Sequence, residues 1–167
     1  LRGSYAGYFR LAKSGDEEPL STHADHYQLN SAYSSAAYSK GAVFLAQLGY
    51  VIGEEVRDRA MLRYFDTWKF RHPNVNDLIR IMEKESGLEL DWYKEYFVNT
   101  TKTIDYGIKE AKASGSNTEI TLERIGLMPM PLDLVITYKD GTSESIYLPL
   151  VMMRGEKANE AGMAARI

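Results

Sequence analysis

The stretch SAYSSAAYSKGAVF, residues 31–44, decides the fold, because it opens a long helical pattern with two tyrosines and a lysine. Apolar residues recur at helical spacing as far as Ile52, and Gly53 is a natural end for the helix. Serine, glycine and aromatic residues are indifferent or poor helix formers, so their presence in the opening turns needs a reason. Either Tyr33 and Tyr38 pack against neighbouring helices, or a phenol is required there as a hydrogen-bond donor.

Further helices are predicted downstream of this one. A row of residues at four-residue spacing from Val56 to Trp68 predicts a second helix that continues until Pro73 ends it. Asn74 is a candidate N-cap for a third helix, and Gly87 is its expected end. A shorter, aromatic-rich fourth helix follows. The first part of the chain is therefore predicted to be helical.

Later in the chain the apolar period changes from about 3.6 to 2, which predicts strands. The segment LDLVITY, residues 132–138, alternates in this way, and Asp140-Gly141 marks a turn after it. A two-residue loop would put the apolar residues of the two strands on opposite faces. A three-residue loop, residues 139–141 with Gly141 in the left-handed conformation, keeps them on one face, and we predict this loop. The shared face would then contain Leu134, Ile136, Ile146 and Leu148.

Two domains follow from these patterns. We predict a mainly α-helical lobe over residues 1–110 and a small antiparallel β-sandwich-like unit, which need not be complete, over residues 111–167. Residues 155–167 carry little apolar periodicity, so they are read either as a frayed end or as the start of another element. The chain begins at Leu1 rather than at a methionine, and we read it as a piece of a longer protein.

Composition excludes several classes of function. The chain has 167 residues, of which 44% are hydrophobic, and a formal net charge of -3 with its basic residues spread singly. A nucleic-acid partner is therefore not expected. The sequence has no cysteine, which removes thiolate nucleophiles and cysteine-based zinc sites. No apolar run approaches the roughly 20 residues that span a bilayer, so no transmembrane segment is predicted, and the localisation is not indicated.

Polar clusters in the sequence offer little self-contained chemistry. Phosphate-binding glycine loops and the nucleophile-elbow motif are absent. The acidic pairs Glu17-Glu18 and Glu54-Glu55 are expected to be solvated surface. The stretch THADH places His23, Asp25 and His26 within four residues, which suggests either a metal site or side chains that hydrogen-bond within a loop. The loop interpretation is favoured, because a metal needs further ligands on a rigid frame.

Two longer stretches carry a resemblance to a known family. The segment AYSSAAYSKGAVFLAQLGYVIGEE, residues 32–55, contains the pattern Y-x-K-G as Tyr38-Ser39-Lys40-Gly41. The segment LRYFDTWKFRHPNVNDLIRIMEKESGLELDWYKEYF, residues 62–97, follows it in the expected order. Together they resemble the M1-type zinc aminopeptidases, also called gluzincins, whose catalytic domain is thermolysin-like. The likeness covers roughly residues 19–108.

This resemblance implies a fold and a catalytic role. The fold would be the helical C-terminal lobe of the peptidase catalytic domain, followed by the β-sandwich domain that many members carry. Tyr38 matches a catalytic position, where its hydroxyl would donate to the oxyanion of the reaction. Tyr33 matches a tyrosine that neighbours the site, which suggests a substrate-binding residue. The family's zinc ligands, two histidines of HExxH and a later glutamate, have no counterpart in this chain.

Two hypotheses of function remain open from the sequence. In the first, the chain is a fragment of a zinc-dependent metallopeptidase that hydrolyses N-terminal residues from peptides. Its partners would be a peptide substrate and a missing N-terminal lobe that carries HExxH. Zinc would belong to the full-length parent, and the fragment is expected to bind none and to be inactive alone. In the second, the chain is a non-catalytic scaffold or peptide-binding module derived from the same fold.

Overall fold

The computed structural model describes residues 1–153, and the chain divides into two compact units, Leu1–Lys102 and a second one from Thr103 onward. The first unit is helical and the second is built from antiparallel strands. The predicted fold class, a helical lobe followed by a small β unit, is confirmed. The division lies a few residues before the predicted boundary at residue 110, which falls inside the first strand. The expectations for residues 155–167 lie outside the described residues.

The first unit contains six helices and two short helical segments of other types. In chain order they are α1 (Arg2–Ser14), a 3₁₀ turn (Ala24–His26), α2 (Asn30–Ser34), a π-helical segment (Ser35–Lys40), α3 (Gly41–Ile52), α4 (Glu54–Trp68), α5 (Val75–Ser86) and α6 (Asp91–Asn99). The backbone is right-handed helical at the two junctions, so α2, the π-helical segment and α3 form one continuous helix. Within residues 1–153, no helix is both long and apolar enough to cross a membrane.

The ends of α5 show how local sequence sets the helix boundaries. The Asn74 side chain accepts the backbone N–H of Asn76 at 2.8 Å, while the Asp77 carboxylate accepts the backbone N–H of Asn74 at 2.9 Å. This reciprocal capping satisfies N–H groups that the first turn of a helix leaves unpaired. At the other end, Gly87 adopts φ 72°. The predicted start and end of this helix are confirmed.

Helix α4 ends earlier than the sequence pattern predicts. The predicted run continues to Pro73, but the helix stops at Trp68. Lys69 has φ −52° and ψ 134°, Phe70 has φ 62°, and the N–H of Arg71 donates to the carbonyl of Trp68 at 2.9 Å. These values fit a type II turn, whose third position favours glycine. The turn therefore holds a fully exposed phenylalanine in a conformation that side chains disfavour.

We expect Phe70→Gly to stabilise the first unit. Glycine adopts a positive φ without the steric cost that a side chain incurs, so the free energy of unfolding rises by about 1 kcal/mol. Denaturation followed by tryptophan fluorescence measures this change, because both tryptophans of the chain belong to the first unit. Lys69→Gly is the matched control. Because Lys69 already has a negative φ, glycine relieves no strain at that position, and its conformational entropy should lower the free energy of unfolding. Equal effects of the two variants would contradict the argument.

Aromatic side chains form the centre of the helical unit. The ring of Phe44 on α3 lies 5.2 Å from the ring of Tyr93 and 5.5 Å from that of Phe97, both on α6. The Tyr93 hydroxyl donates to the backbone carbonyl of Phe44 at 2.7 Å. Burial raises the pKa of Tyr93 well above that of a free phenol, so its hydroxyl remains a donor. Each buried ring contributes about 2 kcal/mol through the hydrophobic effect.

The second unit is built from two β-hairpins. The first pairs β1 (Tyr106–Ser114) with β2 (Asn117–Arg124), the second pairs β3 (Leu132–Thr137) with β4 (Ser143–Leu148), and a short α7 (Leu150–Met153) follows. Each hairpin is a separate two-stranded sheet. Apolar residues of both hairpins, among them Leu122 and Leu148, line a common cleft of about 210 Å³.

The register of the second hairpin confirms the predicted three-residue loop. Leu134 pairs with Ile146, and the N–H of Tyr138 donates to the carbonyl of Thr142 at 2.8 Å. Gly141 has φ 87°, in the left-handed region that this loop requires. The alternation of half-buried and exposed residues along β3 follows from this register. The two-residue alternative is excluded.

Strand β1 has no counterpart among the predicted elements. Most of its residues are exposed, and its one aliphatic residue of high β propensity, Ile108, is exposed as well. A strand without a buried face gives no alternation to detect. The sequence signal for this strand is the turn that follows it, because the glycine-serine pair Gly115-Ser116 suits a two-residue hairpin loop. In the structure Gly115 has φ 64°.

Candidate functional site

Tyr38 lies on the π-helical segment and projects into solvent. Its side chain is 82% exposed. The N–H of Gly41 reaches back to the carbonyl of Ala36, five residues earlier, which is the hydrogen bond that defines a π-helical turn. Such turns are rare and occur often at functional sites. The structure thus presents this phenol on an unusual piece of backbone.

Two residues after Tyr38, Lys40 points into the protein. Its Nζ lies 2.7 Å from Oε1 of Glu17 and donates to the backbone carbonyl of Thr100 at 3.2 Å. The lysine and glutamate side chains are 1% and 6% exposed. Glu17 belongs to the segment after α1, and Thr100 directly follows α6. One ammonium group therefore joins three separate parts of the helical unit.

Aromatic rings complete the surroundings of the ammonium group. The rings of Tyr8 and Phe97 each have their centroid 5.8 Å from Lys40 Nζ, within range of a cation–π interaction. Burial, and then the negative charge of Glu17, raise the pKa of Tyr8, so its phenol stays neutral. Within residues 1–153, Glu17 Oε1 makes no hydrogen bond with any other group. The ion pair with Lys40 is therefore the interaction that offsets the cost of burying this carboxylate.

A close contact between α1 and the π-helical segment lies beside the ion pair. A Cβ atom placed on Gly7 would overlap the hydroxyl of Ser39. Ser39 stands between Tyr38 and Lys40 in the sequence. The absence of a side chain at Gly7 thus lets α1 approach the segment directly, and a larger residue there would push against it.

Tyr33 lies on α2, five residues before Tyr38 on the same continuous helix. Its side chain is partly exposed, and its ring centroid is 5.3 Å from that of Tyr27. The Tyr27 hydroxyl donates to the carbonyl of Pro19 at 3.0 Å, which anchors the preceding segment. Both sequence-predicted tyrosines are therefore on the surface of one helix. The packing alternative does not describe Tyr38, although Tyr33 does contact another ring.

The side chains of the THADH stretch are not among the groups of three or more whose ligand atoms converge within residues 1–153. His23 Nδ1 accepts the backbone N–H of Asp25 at 3.2 Å, and the His23 and His26 rings lie 5.3 Å apart, all exposed. This arrangement agrees with the favoured loop interpretation. Within residues 1–153 the side chains whose ligand atoms converge are elsewhere and include no histidine: Glu83, Glu89 and Asp91. The described residues do not fit the histidine-based zinc site that the resemblance implies, and we assign no zinc ligand to them.

A family model described as the peptidase family M1 domain matches residues 6–97, more than half of the chain. The chain belongs to peptidase family M1. The matched range includes the two tyrosines, the buried ion pair and the π-helical segment. The resemblance stated from the Y-x-K-G pattern is thereby confirmed at the level of the family.

Two similar proteins carry the word aminopeptidase in their names. Aminopeptidase M1-B of Oryza sativa subsp. japonica is 24% identical over 112 residues, which are 66% of this chain and 12% of that protein. Probable aminopeptidase 1 of Sulfurisphaera tokodaii is 24% identical over 111 residues, which are 66% of this chain and 14% of that protein. The chain thus spans about an eighth of the length of these relatives.

The buried ion pair is the feature that sequence reasoning missed. Glu17-Glu18 was expected to be solvated surface, and this is wrong for Glu17, whose carboxylate is buried against Lys40. The expectation holds for the other pair, Glu54-Glu55, which is exposed. The available signal was Lys40 itself, because a lysine beside apolar residues of a core helix needs an anionic partner.

We expect the two charges to depend on each other for stability. Lys40→Met alone leaves the Glu17 carboxylate buried without a partner, and the free energy of unfolding should fall by about 3 to 5 kcal/mol. Lys40→Met combined with Glu17→Met removes both charges and should cost less than about 2 kcal/mol. Denaturation of the 167-residue chain, followed by tryptophan fluorescence, measures both. Additive losses in the double variant would contradict an ion pair.

Proposed function

We propose that this chain supplies part of the active site of an M1 aminopeptidase that removes N-terminal residues from peptides. The observation that carries the proposal is Tyr38, an exposed phenol on a π-helical turn within the matched M1 range. The names of the two relatives support the aminopeptidase activity. In this proposal the rest of the parent protein contributes the zinc ligands, for which this chain has no HExxH motif.

Tyr38 would act as a hydrogen-bond donor to the reacting carbonyl. When a peptide bond is attacked, negative charge develops on the carbonyl oxygen, and a donor that is already oriented stabilises this charge without reorganisation. Loss of one such donor typically costs about 3 to 4 kcal/mol of transition-state stabilisation. The phenol fits this role because its side chain is accessible while its backbone belongs to a continuous helix.

Tyr33 would contact the substrate rather than the reacting atoms. It lies on the same continuous helix as Tyr38 and is partly exposed, but its ring also contacts that of Tyr27. A residue that binds the ground state and the transition state equally affects KM and leaves kcat unchanged. We expect Tyr33→Phe in the full-length protein to raise KM by less than about tenfold at constant kcat. Steady-state kinetics measure this, and a fall in kcat alone would contradict a binding role.

The test of the proposed catalytic role is Tyr38→Phe in the full-length parent. We expect kcat on an N-terminal amino-acid amide to fall by about two orders of magnitude or more, because the oxyanion loses a donor. Tyr147→Phe is the matched control, since Tyr147 is also an exposed tyrosine but lies on β4 of the other unit. Its kcat should equal that of the wild type.

Three outcomes of this experiment separate the interpretations. Cleavage that a zinc chelator abolishes and that falls with Tyr38→Phe supports the proposal. Chelator-sensitive cleavage with an unchanged kcat in the variant would contradict the role of Tyr38 alone. A well-folded parent without any cleavage would favour the other hypothesis, a non-catalytic scaffold or peptide-binding module.

A further inference from the structure

We propose that the buried Lys40–Glu17 ion pair is a positioning device for Tyr38, which selects the π-helical turn and so fixes the direction of the phenol. The inference rests on the proposed function of Tyr38 and extends it to two residues that touch no substrate. Neither side chain reaches the surface, since they are 1% and 6% exposed. Their effect on the reaction would therefore pass through the backbone of the segment Ser35–Lys40.

The geometry of the π-helical segment couples the position of Lys40 to the direction of Tyr38. Tyr38 and Lys40 are two positions apart, and side chains at this separation point to different sides of a helix. Lys40 is buried while Tyr38 is exposed. Any rotation of the segment about its axis that moved the phenol would therefore draw the ammonium group away from its carboxylate. A fixed position for Lys40 implies a fixed direction for Tyr38.

Lys40 is fixed because its partners come from separate parts of the unit. Glu17 lies beyond the end of α1, and the carbonyl of Thr100 follows α6. The rings of Tyr8 and Phe97 surround the ammonium group from α1 and α6. A lysine that shifted by one helical position would leave these groups and bury two charges without compensation, which costs several kcal/mol in proteins generally.

The π-helical turn itself needs such a constraint. Its hydrogen bond from Gly41 to Ala36 spans five residues, and the ordinary α-helical alternative would span four. Changing between them shifts the preceding residues by one position, or about 100° around the helix axis. Buried polar pairs are best documented as devices that select one register among alternatives. The ion pair meets this description, since only one register brings Lys40 to Glu17.

The experiment uses the full-length protein with three changes: Lys40→Met together with Glu17→Met, Tyr38→Phe, and all three substitutions combined. The paired methionines remove both charges at similar volume, so that neither charge is left buried alone. We expect this variant to fold, with kcat lowered by at least about tenfold and KM within about threefold. The kcat of the combined variant should equal that of Tyr38→Phe alone to within about twofold, because the two changes remove the same interaction.

A second ion pair serves as the matched control. Arg59 on α4 and Glu85 on α5 form a partly exposed pair at 2.9 Å, and Arg63 on α4 also pairs with Glu85. All three residues are well separated in sequence from the π-helical segment. A variant with Arg59→Met, Arg63→Met and Glu85→Met removes every charge of this group, so that none is left without its partner, and does not touch the segment. We expect its kcat to equal that of the wild type. A matching fall in kcat would show a general effect of lost ion pairs and would overturn the proposal.

The outcomes distinguish this inference from the proposed function. If Tyr38→Phe leaves kcat unchanged, the proposed function of Tyr38 fails and the inference fails with it. If Tyr38→Phe lowers kcat but the paired methionines do not, only the positioning role is overturned. Losses that multiply in the combined variant would show that the ion pair acts independently of Tyr38, which also overturns it. A paired variant that does not fold would assign the ion pair to the fold alone.

Discussion

The buried contact between the Lys40 ammonium and the Glu17 carboxylate is the constraint that joins three separate parts of the helical unit. It ties the segment after α1 to the π-helical turn, and the carbonyl of Thr100 adds the end of α6. Apolar packing alone tolerates small rotations of a helix, whereas a buried charge has one favourable partner. The aromatic rings around it, from Tyr8 and Phe97, supply the burial that makes this contact selective.

Family membership and local geometry contribute different parts of the functional argument. The match to the M1 domain over residues 6–97 establishes the family, and this match does not depend on the directions of the two tyrosine side chains. The structure adds that Tyr38 is exposed on a π-helical turn while Lys40, two residues later, is buried. The two parts meet at Tyr38, which lies within the matched range and is accessible at the surface.

Sequence reasoning succeeded where local chemistry decides the structure. The capping of α5 by Asn74 and the three-residue loop at Gly141 both follow from a few neighbouring residues. It failed where long-range packing decides. The burial of Glu17 depends on a lysine more than 20 residues away. The neighbouring Glu18 is the same residue type, so the local sequence does not indicate which of the two is buried. Helix α4 ends early at a turn in which Phe70 occupies a position that favours glycine. Residue propensities do not predict a turn of this type at a phenylalanine.

The contact between Gly7 and Ser39 limits how this part of the protein can diverge. Because a Cβ atom at position 7 would overlap the serine hydroxyl, the two positions share one small volume. A larger residue at position 7 would therefore require the Ser39 side chain to rotate away or to be replaced by a smaller one. Where Ser39 cannot give way, a larger residue at position 7 would move the helix that carries the phenol, so the packing of α1 bears on the position of Tyr38.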